Sequence, residues 1–482
     1  MKRILVIGNA PLPEENTKSR PAAGLRTYQF LKSLSGKAGV VIDGKDNAFA
    51  ARKNLPLEIK AVCIAMPECY EKDPGEKSVT HPDGYQLTVI SKNDSSLLKK
   101  IQVIHDEFCP DAIVSVNTYP SYVASQLSSR APLWADLNGW VMAEGQAQAH
   151  RIESNDYLPH YFKMERSILL RADKISVVSS GQQFATLGEL AALGRLNKES
   201  FFHEFVDHIP NGTEVFEDED LSKVEELKEP EFLKVIPDEA FVLAWIGGYN
   251  TWVDEVTLFK GAEEAMEKCE DLYFVSTGGG IEGLNNSTFA KFKSLVEGST
   301  YKDRFIFLGW VETAEIPYVY RRADCGLNVD LKCVETLTGA RNRINEMMKF
   351  GVPVITTLGS EISYEVERVG AGRAVKSGKH ELLSEAIISM YNEWRGGDER
   401  ESSGFLQYGE NGRQYIEKEC NYKKIMKPLL GWLENPRPAP DRGIEVNLSG
   451  GNLKAALTYM RKSGAKKFLQ KLLQKIKNLL KL

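Results

Sequence analysis

Four apolar runs in the second half of the chain each end where glycine or polar residues begin, and this restricts the fold more than any other feature. Residues 241–246 stop at Gly247-Gly248, 272–276 at Gly278-Gly279-Gly280, 305–308 at Gly309-Trp310, and 325–329 lead into a charged segment, 335–357. Continuous apolar runs of this length, with helical stretches between them, read as strands buried on both faces of a parallel sheet. Ligands of such sheets bind beyond the carboxyl ends of the strands, where these glycines fall. The first half alternates in the same way. Residues 2–7 end at Gly8, a loop with Pro11, Pro13, Asn16 and Pro21 follows, and Gly24-Leu25-Arg26 opens an amphipathic helix to Leu34. Further strands are expected at 40–43, 59–65, Ala112–Val116, Leu133–Leu137 and 174–179, with a helix over 95–108. A strand, a glycine-bearing loop and a helix can present backbone N–H groups to a ligand, though an ordinary connection reads the same way.

Segment 335–357, ETLTGARNRINEMMKFGVPVITT, reads as a loop, a helix opening at Thr338-Gly339 and stopped by Gly351, and an interior strand at 354–357. Arg341 and Arg343 fall in the expected first turn, where the helix dipole disfavours cations unless an anion is held there. Glu346 follows one turn later. Two guanidiniums, backbone N–H groups and one carboxylate suit a sugar nucleotide, with diphosphate on the arginines and ribose on the acid. A solvated charged helix face is the competing reading.

Composition narrows the partners. The net charge of −5 argues against a general nucleic-acid binder, but it hides a split: residues 454–482 carry eight Lys, one Arg and no acid, so the tail is +9 and the remainder −14. The tail's apolar residues Phe468, Leu469, Leu472, Leu473, Ile476 and Leu480 step along one side, with lysines on the other. That describes a basic amphipathic helix suited to an anionic membrane surface, an oligomerisation helix being the alternative. Seven scattered cysteines suggest free thiols in a reducing cytoplasm. No run of about 18 apolar residues is present, and residues 1–7 are too short for a signal sequence. Gly278, Gly280 and Gly283 match G-x-G-x-x-G, but no acid stands about 20 residues on, which weakens a dinucleotide reading. Asp218-Glu219-Asp220 lies in a charged junction and reads as a solvated run, not a metal motif.

Several segments together carry a resemblance. They are His208-Ile209-Pro210-Asn211-Gly212, residues 244–248 with Lys260-Gly261, residues 276–280, residues 307–311 and residues 344–355. In this order and spacing the chain resembles the GT-B-fold, nucleotide-sugar-dependent retaining glycosyltransferases of family 4 across about residues 1–435. The match is strong in the C-terminal half and confined to the first strand-helix loop and general pattern in the N-terminal half. The resemblance implies an α/β fold with two Rossmann-like parallel-sheet domains facing across a cleft. The expected divisions are 1–215, 216–404, helices 405–435 returning to the first domain, a stiff linker 436–453 and the basic helix 454–482. It further implies transfer of a sugar from a UDP- or GDP-sugar to a glycan or lipid-linked acceptor, at the inner face of the membrane, with no bound cofactor or metal. A catalytically silent scaffold or a sugar-nucleotide epimerase of the same fold are the alternatives.

By the same resemblance Glu346 holds the ribose and the backbone at Trp310-Val311 pairs with the base. Arg341, Arg343 and the glycine loops at Gly24, Gly247-Gly248 and Gly279 cradle the diphosphate, and Arg26, Thr338 and Gly339 complete the donor-binding set. Asp136 and Asn138 lie where the family often places a histidine, so either is expected to orient sugar or acceptor, although a strand-end Asp is also a common cap. Two departures stand out. Thr338 occupies the position of the first acid of the family's E-x₇-E pair, with Glu335 three residues earlier. Tyr249-Asn250-Thr251-Trp252 stands where an arginine is expected, and Lys260 is the candidate for the accompanying lysine.

Overall fold

A computed structural model describes residues 1–15, 17, 22–36, 57–214, 230–280, 286–396, 404–446, 448 and 452–479. The expected strand at 40–43, the run at 218–220 and Gly283 lie outside these residues. The first sheet contains β1 (Lys2–Ala10), β2 (Leu57–Ala65), β3 (Glu76–Thr80), β4 (Gln86–Ser91), β5 (Ala112–Val116), β6 (Leu133–Leu137), β7 (Lys174–Val177) and β8 (Val206–His208). Their order is β3-β4-β2-β1-β5-β6-β7-β8, parallel throughout except for β3. β3 and β4 form an antiparallel hairpin across Asp83-Gly84, which the sequence reading did not anticipate.

The second sheet is wholly parallel. It holds β9 (Phe241–Trp245), β10 (Leu272–Thr277), β11 (Phe305–Gly309), β12 (Cys325–Asn328), β13 (Val354–Thr357) and β14 (Gly372–Val375), in the order β11-β10-β9-β12-β13-β14. β1 and β9 are fully buried over their apolar centres and stand inside their sheets, which is why both read as unbroken apolar runs. The two sheets with helices on their faces give the expected two-domain α/β architecture.

The C-terminal helices differ in detail from the expected divisions. Phe405–Glu419 packs on the second domain, where Ile416 and Cys420 join the core around Ile344 and Met348. Only then does the chain cross, and Tyr422–Ile425 and Lys427–Glu434 bury Tyr422, Met426 and Leu429 in the first domain's core beside Ile4 and Val6. The proline-rich stretch that follows is pinned and not a free spacer. Asp441 is buried against Arg195 at 2.9 and 2.8 Å, the Ala439 amide donates to Asp173 at 2.8 Å, and Arg442 also pairs with Asp173. The basic tail is two helices, Asn452–Ser463 and Ala465–Leu479, broken at Gly464, whose φ is +81°. No helix among the described residues is long and apolar enough to cross a membrane.

Candidate functional site

The glycine loops of the second sheet interlock. Gly247 and Gly278 have φ of +103° and +76°, a region that side chains other than glycine rarely adopt. A Cβ at Gly278 would also collide with the Gly247 carbonyl. The Gly278 amide donates to Gly309 O at 2.6 Å, the Gly247 amide to Thr277 Oγ1 at 3.2 Å, and the Tyr249 amide to Gly279 O at 3.0 Å. The ends of β9, β10 and β11 are thereby laced into one rim, with Trp310 half-exposed and Val311 beside it. Tyr249, where an arginine was expected, is core: it stacks on Trp245 at 4.9 Å and its hydroxyl bonds Ser276 Oγ at 2.9 Å. Lys260 is exposed on the helix Glu255–Met266, on the side of Glu381.

The two arginines of the 335–357 segment are not equivalent. The helix is split into Val334–Thr338 and Asn342–Lys349, with the break at Gly339, so Arg341 is the cap of the second piece. Its guanidinium is buried between Asp330, at 2.6 Å, and Glu335, bound through both oxygens at 3.0 and 2.7 Å. Burial opposes the charge on Arg341, but the two carboxylates more than offset it and hold the group protonated. The anion expected from a ligand is supplied by the chain, and this corrects the assignment of Arg341 to the diphosphate. Thr338 and Gly339 belong to the same joint: Thr338 O accepts from Ser179 Oγ of the first domain at 2.6 Å.

Arg343 has no such partner. Its Nε donates to Ile246 O at 2.7 Å and its Nη2 to Gly248 O at 2.8 Å, and the guanidinium lies 3.7 Å from the Trp245 ring centroid. No carboxylate among the described residues lies within ion-pair distance, and burial pushes its pKa down to about 10 despite the opposing field of Asp330. A cation desolvated without a countercharge, against the Gly247-Gly248 turn, is what an incoming anion would stabilise. Glu346, one turn on, accepts from Thr213 Oγ1 at 2.7 Å, and the neighbouring Asn345 donates to Asn211 O at 2.9 Å. The residues 208–213 and 342–349 thus meet across the domain boundary.

In the first domain the structure brings Arg26 and Asp136 together, but not at an open site. Arg26 donates to Asp136 through Nε at 3.0 Å and Nη2 at 2.7 Å, and also to Ile209 O and Pro210 O at 2.8 and 2.9 Å. Asp136 also accepts from Ser176 Oγ at 2.6 Å and is fully buried. Asp136 is therefore an internal anchor of β6, not a group in reach of a sugar, and Arg26 is its counter-ion, not a donor-binding arginine. Gly24 lets its helix close on the loop before it, since a Cβ there would strike the Pro11 carbonyl. Asn138 stays at the rim, donating to Asn117 Oδ1 at 3.1 Å, and Asn117 in turn donates to Asn9 Oδ1 at 3.1 Å. The ends of β1, β5 and β6 thus share one amide chain.

Two further groups face the cleft without having been foreseen. Arg151, at the end of the helix Val141–Ile152, crosses to Glu255 at 3.0 and 2.8 Å and to Thr251 O at 2.8 Å. The carboxyl group of Glu144, in the first turn of the same helix, has no hydrogen-bond partner among the described residues. Burial, with the charge of Glu335 added and that of Arg341 opposing, pushes its pKa up to about 7. Neither carries a local sequence signal, because each depends on what the other domain places opposite it. Among the described residues no cluster of three or more His, Cys, Asp or Glu is arranged to hold a metal.

Two facing parallel-sheet domains, with the strand-end loops of the second forming a rim against the first, define the GT-B class. Residues 240–393 match the family model described as glycosyl transferases group 1. Over that segment the chain is similar to the group 1 glycosyl transferases, and as a whole it has the GT-B fold. No curated protein matches it in sequence. Similar solved structures include a sucrose-phosphate synthase from Thermosynechococcus elongatus, 16% identical, covering 90% of this chain and 98% of that one with a TM-score of 0.60. Anabaena HepE in complex with UDP-glucose is 16% identical, covers 90% and 100%, and has a TM-score of 0.55. A UDP-forming α,α-trehalose-phosphate synthase from Burkholderia xenovorans is 10% identical, covers 90% and 99%, and has a TM-score of 0.61.

Proposed function

We propose that this chain transfers a sugar, with retention of anomeric configuration, from a nucleoside-diphosphate sugar to a glycan or lipid-linked acceptor in cell-surface polysaccharide synthesis. The observation that carries the reading is Arg343: a buried guanidinium with no carboxylate beside it among the described residues, bound to the carbonyls of Ile246 and Gly248 at the glycine turn. A diphosphate gains charge as its bond to the sugar breaks, and a pre-placed cation at that point stabilises the transition state more than the ground state. Glu346 is the acceptor for ribose hydroxyls, and the backbone at Trp310-Val311 faces the base. UDP-sugars are the favoured donors, because a similar structure contains UDP-glucose and another is described as UDP-forming.

The test is thermal denaturation of the full chain with UDP-, GDP-, dTDP- and ADP-sugars. A UDP-sugar should raise Tm in the wild type and not in Arg343→Ala; no shift with any sugar nucleotide would overturn the reading. The +9 tail supports a place on an anionic inner leaflet, each Lys contributing on the order of 1 kcal/mol near the surface. Deleting 454–482 should release the protein from phosphatidylglycerol vesicles. A silent scaffold is the second reading, favoured by Thr338 in place of an acid and by the sequestered Asp136; turnover of any sugar nucleotide rejects it.

A further inference from the structure

A second apolar surface stands beside the root of the basic tail. Phe201 and Phe202 are 77% and 94% exposed, edge to face with centroids 4.9 Å apart. Two adjacent phenylalanines in water are costly, and the loop does nothing to hide them. It is rigid instead. The Asn197 amide donates to Ser200 Oγ at 3.0 Å, Ser200 Oγ to Arg195 O at 2.6 Å, and Asn197 Nδ2 to Gly194 O at 3.0 Å. His203 fixes the far side through Asp173 O at 2.7 Å.

The base of this loop is also where the tail leaves the domain. Arg195 is the buried partner of Asp441 in the linker, and Val446 and Leu448 lie over Gly194. Leu196 is exposed beside them, and Phe184 is 73% exposed on the helix Ser180–Ala192. Beyond Leu448 the tail exposes Leu469, Leu472 and Leu473 among its lysines. The fixed aromatic pair and the point from which the chain runs on to the basic helices therefore lie on the same side of the first domain. An aromatic wedge suits the acyl boundary of a bilayer, a row of lysines suits its anionic headgroups, and a planar lipid surface takes both at once.

We propose that the 194–203 loop is a second membrane contact, with Phe201 and Phe202 inserting into the interface of an anionic bilayer and so setting the orientation of the first domain on it. This rests on the tail being a membrane-binding element. The experiment measures cosedimentation of the full chain with vesicles of phosphatidylcholine, with and without phosphatidylglycerol, for wild type, Phe201→Ser/Phe202→Ser and the 454–482 deletion. Both substituted residues are exposed, so an unchanged Tm checks folding. The double variant should bind anionic vesicles about tenfold more weakly, and the binding that survives in wild type at high salt should vanish, since salt screens the lysines and not the rings. Equal binding of wild type and double variant overturns the wedge and leaves the tail reading intact. No binding by wild type overturns both. A dimer in solution that the double variant abolishes would make the surface a self-interface and also overturn the proposal.

Discussion

Arg26 and Asp136, 110 residues apart in the chain, are locked as a buried two-pronged ion pair, 3.0 and 2.7 Å between their nitrogens and oxygens. Removing one member of such a pair strands a charge in the core. Asp136→Ala and Arg26→Ala should each cost about 3–5 kcal/mol of unfolding free energy, measured by denaturant titration. A folded Asp136→Ala variant of unchanged stability that lacked activity would instead return Asp136 to the chemistry.

The two arginines of the 335–357 segment should separate in one experiment. Arg343→Ala should weaken nucleotide-sugar binding by about 10–100-fold, the value of a charge-assisted hydrogen bond to an anion, with little change in Tm. Arg341→Ala leaves Asp330 and Glu335 buried without their cation and should lower stability by about 3 kcal/mol or more. Calorimetry of binding beside thermal denaturation reads both.

Glu144 should make stability depend on pH. Its folded pKa, about 7, lies above the ordinary 4.5, so the folded chain holds a proton that the unfolded chain has released. The stabilisation is complete below about pH 4.5 and is lost as pH rises through 7. Glu144→Gln should therefore be roughly 1–3 kcal/mol more stable than wild type at pH 8 and indistinguishable from it at pH 4, a difference that paired denaturant titrations would measure.

Glu346 and Thr213 join the domains beside the position proposed for the ribose. Thr213→Val removes the donor but keeps the shape, leaving the carboxylate free to turn. It should raise KM for the sugar nucleotide several-fold with kcat little changed, whereas Glu346→Ala should lose binding outright. Steady-state kinetics with the donor found by thermal shift checks both.

The parallel sheets, the glycine rim at 247–248, 278–280 and 309, and the split of charge between body and tail were all legible from local patterns, because burial on both faces of a strand writes a continuous apolar run. The hairpin at Asp83-Gly84 was not legible, because its outer strand Glu76–Thr80 is exposed and leaves no apolar run. Which charges pair was not legible either. Arg341 and Arg343 differ by two positions and by nothing in their own chemistry. One meets Asp330 and Glu335 and the other a tryptophan face and two carbonyls, because Arg341 is the cap of the second helix piece and Arg343 lies within its first turn. Asp136 read as an open strand-end acid until the helix Ala22–Leu34 brought Arg26 against it. Coulomb attraction and desolvation act over a few ångströms, so the fate of each charge was decided only when distant segments had been brought together.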